Sequence, residues 1–317
     1  MKLYNEEFSL RKPFALKKGD TIGIVAPSGP YDPIELQRGI DFFKSLDYEV
    51  IYEGSIFNKH WSLAKQDKEK AFQINRMFSN QIVKAIFCAT GGYGSIRTLP
   101  FLNETIIKNN PKIFVGYSDI TILLLYLYKT ARMVLFHGPV VSGEIHQEMN
   151  WVTFDYLKKV IETTSPLGEI RSPSMETLKP GRASGLLIGG NLSLIINSIG
   201  TPYEINTKNS ILFLEDIAES LEVIDNYLMQ LKLAGKLKKI KGIIFGKMVN
   251  CPLEPSKEFT IRDLIKDTLS DIDVPIVYGL PSGHLDEKEI HITLPLGVNA
   301  TLDGYRSSLI INESAVS

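Results

Sequence analysis

The chain has 317 residues, 44% of them hydrophobic and 22% charged, with a formal net charge of -1. That length suits one large or two medium domains, and so balanced a charge offers no electrostatic hold for nucleic acid or an anionic membrane. The longest apolar run, Ile120 to Tyr128, falls far short of the ~20 residues that span a bilayer.

The opening stretch, "MKLYNEEFSLRKPFALKKGD", carries acidic residues and no apolar segment of signal-peptide length. Two cysteines, Cys88 in a strand pattern and Cys251 beside Pro252, make no disulfide framework. A cytoplasmic protein is the expectation. The first half then alternates strand and helix signals. "TIGIVAPS", Thr21 to Ser28, is a β-rich run ending in a Pro-Ser-Gly-Pro turn, and "PIELQRGIDFFKSLD" sets Ile34, Ile40, Phe43 and Leu46 at helical spacing. "YEVIYEG" predicts a strand, Leu63 to about Phe78 a polar helix, and "VKAIFCA" another strand. After "TGGYGS" a helix is expected, then "KIFVG" as strand, Ile120–Lys129 as helix and "MVLFHGPV" as strand. Such alternation, with near-continuous apolar strands, predicts a Rossmann-like parallel sheet covered by helices on both faces.

Between Ser165 and Arg182 the periodicity dissolves. "SPLGEIRSPSMETLKPGR" brings Pro166, Pro173 and Pro180 in quick succession, so residues 1–165 are read as one domain, 166–181 as a linker and 182–317 as a second domain. In the second part "ASGLLIGGN", "SILFLED", "KGIIFGKM", "VPIVYGLP", "EIHITLPLG", "ATLDG" and "SSLIINE" are short strand candidates. Few helices interrupt them, the clearest being Glu219 to Lys239, whose Lys236–Lys239 run reads as a solvated helix end. A mixed, mostly β domain or a barrel-like sheet is expected there.

The chemistry-bearing stretch is "KIFVGYSDITILLLYLYK". A buried strand breaks at Gly116, and Ser118 stands where the following helix opens. The first amides of a helix lack intrahelical partners and the positive dipole end gathers there. A serine raised on that turn could attack a carbonyl, with the Asp119 amide facing the oxyanion. Equally, Ser118 or Asp119 could simply cap the helix. "VGYSDI" is not the G-x-S-x-G of α/β-hydrolases, so a nucleophile here needs partners found elsewhere.

Five histidines could supply a base. His60 and His146 sit in polar contexts, His137 ends a strand, and His291 alternates with Ile290 and Ile292 as a strand residue would. His284, in "GLPSGHLDEKE", follows a strand end and rigid turn residues, where catalytic groups are commonly displayed, and is the best placed. A carboxylate to orient it could come from "ILFLED", whose buried strand ends in Glu215-Asp216; either could instead cap the next helix. "FCATGGYGS" leads a strand into Gly91-Gly92, a nest of free amides suited to a phosphate, an oxyanion or nothing beyond a turn. The cluster His284, Asp286, Glu287, Glu289 and His291 raises a metal reading, but it matches no compact zinc motif and reads as a charged loop. No cofactor is expected.

Taken in order, "GDTIGIVAPSGP", "ATGGYGS", "NPKIFVGYSDIT", "FHGP", "GLLIGGNLSLI", "GTPYEI", "ILFLEDIAES", "QLKLAGKL" and "YGLPSGH" resemble the LD-carboxypeptidases (muramoyltetrapeptide carboxypeptidases), a family of serine peptidases that includes the microcin C immunity peptidases. The likeness runs from about Gly19 to Gly297. It implies a Ser-Glu-His triad of Ser118 as nucleophile, Glu215 as orienting carboxylate and His284 as general base, with the amides of Asp119 and Gly92 as oxyanion hole. It further implies two domains with the site between them, a murein tetrapeptide or related small peptide as substrate, and a homodimer. Two positions depart from the family pattern: Thr90 stands where an Arg usually opens the glycine loop, and Asn226 where an Arg often follows Ile-Asp. Losing a guanidinium can loosen a helix-to-loop clamp or remove a bidentate carboxylate contact, so substrate preference is where a change is expected.

Overall fold

A computed structural model describes residues 10–57, 63–146, 148–251, 259–285 and 289–317; His60, Asp286 and Glu287 lie outside them. The first half runs β1 (Thr21–Val25), α1 (Pro33–Ser45), β2 (Glu49–Tyr52), α2 (Leu63–Ser79), β3 (Val83–Cys88), α3 (Glu104–Asn109), β4 (Ile113–Gly116), α4 (Thr121–Ala131), β5 (Leu135–His137) and α5 (Trp151–Glu162). The second runs β6 (Gly168–Ile170), β7 (Glu176–Lys179), β8 (Arg182–Asn191), α6 (Leu192–Ser198), β9 (Ser210–Ile217), α7 (Leu221–Leu233), β10 (Gly242–Val249) and α8 (Ile261–Thr268). It closes with β11 (Ile276–Tyr278), β12 (Leu294–Leu296), β13 (Asn299–Asp303) and β14 (Ser308–Ile311).

These strands build two sheets. The first has the order β12-β5-β4-β3-β1-β2, parallel from β5 through β2 and antiparallel at β12. This is the Rossmann-like half expected from the alternating pattern. Strand order reverses between β1 and β3, the switch point beyond whose carboxyl ends open α/β sheets bind ligands. The second sheet has the order β6-β14-β13-β8-β9-β10-β11-β7, with β8 to β11 parallel and the flanking pairs antiparallel.

The expected mixed sheet is therefore present, but it is open rather than barrel-like: β6 and β7 occupy opposite edges. Both lie in the stretch read as a linker. Pro166, Pro173 and Pro180 flank these short strands without interrupting them, the placement a residue with no N–H tolerates at a sheet edge. "EIHITLPLG" also behaves differently from its reading. Only Leu294–Leu296 is strand, and it pairs with β5 of the first sheet, Leu294 opposite His137. Helix α7 stops at Leu233, short of Lys239, because Gly235 takes a left-handed φ of 72° that ends the helix.

One apolar core joins the first sheet and its flanking helices to the inner face of the second sheet, and a second core lies between the outer face of the second sheet and α6, α7 and α8. Alternation along β9 shows why. Ile211 and Phe213 enter the first core, Leu212 and Leu214 the second. Helix α4 is apolar all round, and residues 121–127 are all buried, as a helix packed on more than one side must be. Its Leu125 belongs to the second core and its other leucines to the first. Among the described residues no helix is long and apolar enough to cross a membrane.

Candidate active site

Ser118 is held in a backbone conformation that L side chains avoid. β4 ends at Gly116, Tyr117 is extended, and Ser118 has φ 62° as it opens a 3₁₀ turn, Ser118–Ile120, that leads into α4. Such a left-handed serine costs about 1–3 kcal/mol and persists where the surroundings over-determine it. Gly116 permits the sharp return: a Cβ there would come 2.9 Å from the Ile120 side chain. The helix-capping alternative does not hold, since no side chain caps this turn.

The Asp119 carboxylate does structural work that its sequence position did not reveal. Only 4% exposed, it accepts bonds from the Ser28 hydroxyl (2.5 Å) and the Ser95 amide (2.8 Å). The Ser95 hydroxyl donates back to the Asp119 carbonyl, and the Gly29 amide donates to the Gly91 carbonyl at 3.0 Å. The loops after β1, β3 and β4 are thereby locked together. Gly92, at φ 109°, packs on Gly29, where a Cβ would meet the Gly29 Cα at 3.1 Å. Thr90, just before them, is partly exposed, and Asn226 lies exposed on α7.

Gly91 is the glycine that touches the serine. A Cβ at this position would stand 2.8 Å from the Ser118 Cβ and 3.1 Å from its Oγ. Gly91→Ala is therefore expected to push Ser118 out of line and lower kcat/KM by roughly 100-fold, with only a small change in melting temperature. Steady-state kinetics beside a thermal melt checks this; near-native turnover would show the contact to be slack.

The strand period that builds the cores also separates the two adjacent carboxylates. Glu215 follows Phe213 onto the inner face of the second sheet, toward the first sheet, whereas Asp216 turns outward. Asp216 accepts from the Asn191 side chain (3.0 Å) and the Ser193 amide (2.9 Å) at the start of α6. Burial, and then the neighbouring Glu215 charge working against several hydrogen bonds, push its pKa up to about 6. Neither carboxylate caps α7, whose first turn is capped by Ser220. Glu215 lies opposite Asn191 of β8, and the Asn191 amide donates to the Thr121 hydroxyl at 3.1 Å. Gly190 lets β8 come this close, since its Cβ would meet Thr121 Oγ1 at 2.7 Å. The second sheet is thus registered against the turn that carries Ser118.

His284 completes the constellation. Its Nδ1 lies 2.7 Å from Glu215 Oε2, its backbone amide donates to the same oxygen at 3.1 Å, and its Nε2 lies 3.0 Å from Ser118 Oγ. Gly283, at φ 94°, lets the turn press on the carboxylate; a Cβ there would stand 2.5 Å from Glu215 Cγ. Burial alone would pull the His284 pKa down, but the bond to Glu215 and its charge outweigh this and raise it above the ordinary histidine value. Burial likewise works to raise Glu215, and the His284 bond and charge hold it below the usual carboxylate range instead.

Two more histidines border the site. His137, fully buried at the end of β5, has its Nε2 4.0 Å from Glu215 Oε1. Burial drives its pKa down to about 3, against the opposing pull of Glu215, a shift that favours the neutral ring. His291 is buried but precedes β12 rather than alternating along it. Tyr117 packs edge-on against His137, His284 and His291, at ring separations of 5.8, 5.0 and 5.0 Å. Sequence patterns did not single out Tyr117 or Glu144, its hydrogen-bond partner; a polar residue beside an active serine was the available signal.

Hydroxyl, imidazole and carboxylate in a continuous hydrogen-bonded row, at the carboxyl edge of a doubly wound sheet, are the arrangement of a serine hydrolase. Comparison with known proteins narrows the class. Residues 22–138 match the LD-carboxypeptidase N-terminal domain and residues 184–302 the LD-carboxypeptidase C-terminal domain. A Bacillus subtilis (strain 168) protein named "Probable murein peptide carboxypeptidase" is 38% identical, over 98% of this chain and 97% of its own length. The microcin C7 self-immunity protein MccF of Escherichia coli is 27% identical over 95% of this chain and 96% of its own. The crystal structure of muramoyltetrapeptide carboxypeptidase from Oxalobacter formigenes superposes with a TM-score of 0.81 at 28% identity, covering 93% of this chain and 99% of that one. The chain belongs to the LD-carboxypeptidase family and is a serine-type carboxypeptidase.

Proposed function

We propose that the enzyme hydrolyses the amide bond between an L-configured centre and the terminal D-alanine of murein tetrapeptides, with Ser118, His284 and Glu215 as its triad. The observation that supports this reading best is the row Ser118 Oγ, His284 Nε2, His284 Nδ1, Glu215 Oε2, with 3.0 and 2.7 Å steps. His284 Nε2 takes the Ser118 proton as Oγ attacks the scissile carbonyl, and Glu215 stabilises the imidazolium. The amides of Asp119 and Gly92 receive the oxyanion. When the tetrahedral intermediate collapses, His284 gives its proton to the departing D-alanine amine. A water, activated by the same imidazole, then frees the acyl group from Ser118. On this reading the enzyme acts in the cytoplasm, as a homodimer, on peptides released during wall recycling.

Mass spectrometry of a tetrapeptide digest tests the assignment. The peptide ending in D-alanine is expected to lose that single residue, and its L-alanine diastereomer to stay intact. Loss from both, or from neither, would overturn it. Cleavage of a peptidyl-nucleotide with the tetrapeptide untouched would move the enzyme to the microcin immunity side of the family.

A further inference from the structure

Beside the triad lies a second carboxylate–histidine pair, and it holds the residues next to both reacting groups. Glu144 follows β5, with its side chain 30% exposed. Its Oε1 accepts from the Tyr117 hydroxyl at 3.0 Å, and its Oε2 accepts from the Val140 amide at 2.8 Å. Oε1 also lies 3.4 Å from His291 Nδ1. On the other side of the His291 ring, Nε2 accepts from the Gly283 amide at 3.2 Å. One carboxylate therefore reaches Tyr117, the neighbour of Ser118, and through His291 reaches Gly283, the neighbour of His284.

The loop geometry gives this chain of contacts leverage. Segments 281–285 and 289–292 meet at a narrow neck, where the Ile292 amide donates to the Pro281 carbonyl at 2.8 Å. The bond from Gly283 to His291 is the second rung of that neck, and His284 stands directly beyond it. His291 is itself fixed from behind, its amide donating to the Thr153 hydroxyl of α5 at 2.9 Å. The Gly283 N–H points at Nε2, which serves as its acceptor, and Nδ1 is the ring nitrogen turned toward Glu144. An apolar side chain at 291 would leave the Gly283 amide buried without an acceptor and the neck with one rung.

We infer that Glu144 and His291 are positioning residues of this active site, setting the Ser118–His284 distance by tying Tyr117 and the Gly283–His284 turn to one carboxylate. This rests on the triad assignment above but not on the choice of substrate. A misplacement of about 1 Å in a reacting pair can cost ~100-fold in rate, so the effect belongs in kcat, with KM little moved.

The test compares His291→Leu, His291→Gln and Tyr117→Phe by kcat and KM on the tetrapeptide, by the rate at which an active-site-directed phosphonate labels Ser118, and by thermal melting. His291→Leu is expected to slow turnover and labelling by about 10- to 100-fold, with KM within about twofold. His291→Gln, which can accept from Gly283 and donate to Glu144, should return both rates to within about threefold of wild type. Tyr117→Phe keeps the ring and removes only the bond to Glu144; a several-fold fall in labelling is expected, and this variant carries the test should His291→Leu not fold. Labelling at the wild-type rate in folded His291→Leu or in Tyr117→Phe would overturn the inference. So would a His291→Gln variant with native melting that is as slow as Leu. Wild-type protein that reacts with the phosphonate but leaves the tetrapeptide intact would instead remove the substrate assignment alone.

Discussion

Ser118→Ala is expected to lower kcat on the tetrapeptide by roughly 10⁴- to 10⁶-fold while the protein folds and melts as the wild type does. The size follows from what is lost: the hydroxyl that stands 3.0 Å from His284 Nε2. The glycine packing, the locked loops and the helix amides all survive the change, so whatever rate remains measures oxyanion stabilisation and binding without a nucleophile. Stability should hold because alanine keeps the Cβ, and with it the strained φ of 62° that the native serine already tolerates. Ser118→Gly provides the contrast. Glycine relieves the left-handed strain, partly offset by its larger unfolded-state entropy, so it should melt at or above Ser118→Ala by an amount on the order of 1 kcal/mol or less. A Ser118→Ala enzyme within tenfold of wild type would remove this residue from the chemistry.

Much of this arrangement could be read along the chain because it is local. A buried strand, a glycine, a serine and an apolar helix are consecutive in "IFVGYSDITILLLYL", and the period of β9 puts Glu215 and Asp216 on opposite faces. Which of them meets the first sheet is set by the packing of the two sheets. The features that escaped are those made by pairing distant segments. Nothing near Leu294 indicates that it will pair with His137, and nothing in "GEIHQ" indicates that Glu144 meets Tyr117 and His291. The edge strands β6 and β7 were hidden for another reason. Each is only three or four residues long, between prolines, so neither offers enough alternation to stand out from a linker. Asp119 shows the limit within a motif: its amide could be assigned from helix physics, whereas its carboxylate acts on Ser28, 91 residues earlier.

Glu215→Gln separates the electrostatic from the steric work of the triad. A glutamine fills the same buried space against Gly246 and Gly283, so the fold should persist, but the amide can present an N–H to His284 Nδ1. That interaction selects the tautomer with its proton on Nε2, which then cannot accept from Ser118, and the anion that stabilises the imidazolium is gone. A fall in kcat of about 10⁴-fold is expected. The pH profile should move as well, and its direction follows from the charges. In the wild type the His284 pKa is raised, burial being outweighed by Glu215, so the base becomes protonated and activity is lost as pH falls through a midpoint above the ordinary ~6.5. With the anion removed, burial is left as the largest influence and lowers that pKa, so the acid limb of kcat/KM should shift to lower pH. His137 titrates on the far acid side of this limb, since burial lowers its pKa to about 3 and loss of the Glu215 charge lowers it further. Residual activity whose acid limb stays in place, or moves upward, would mean that Glu215 is not the group that charges His284.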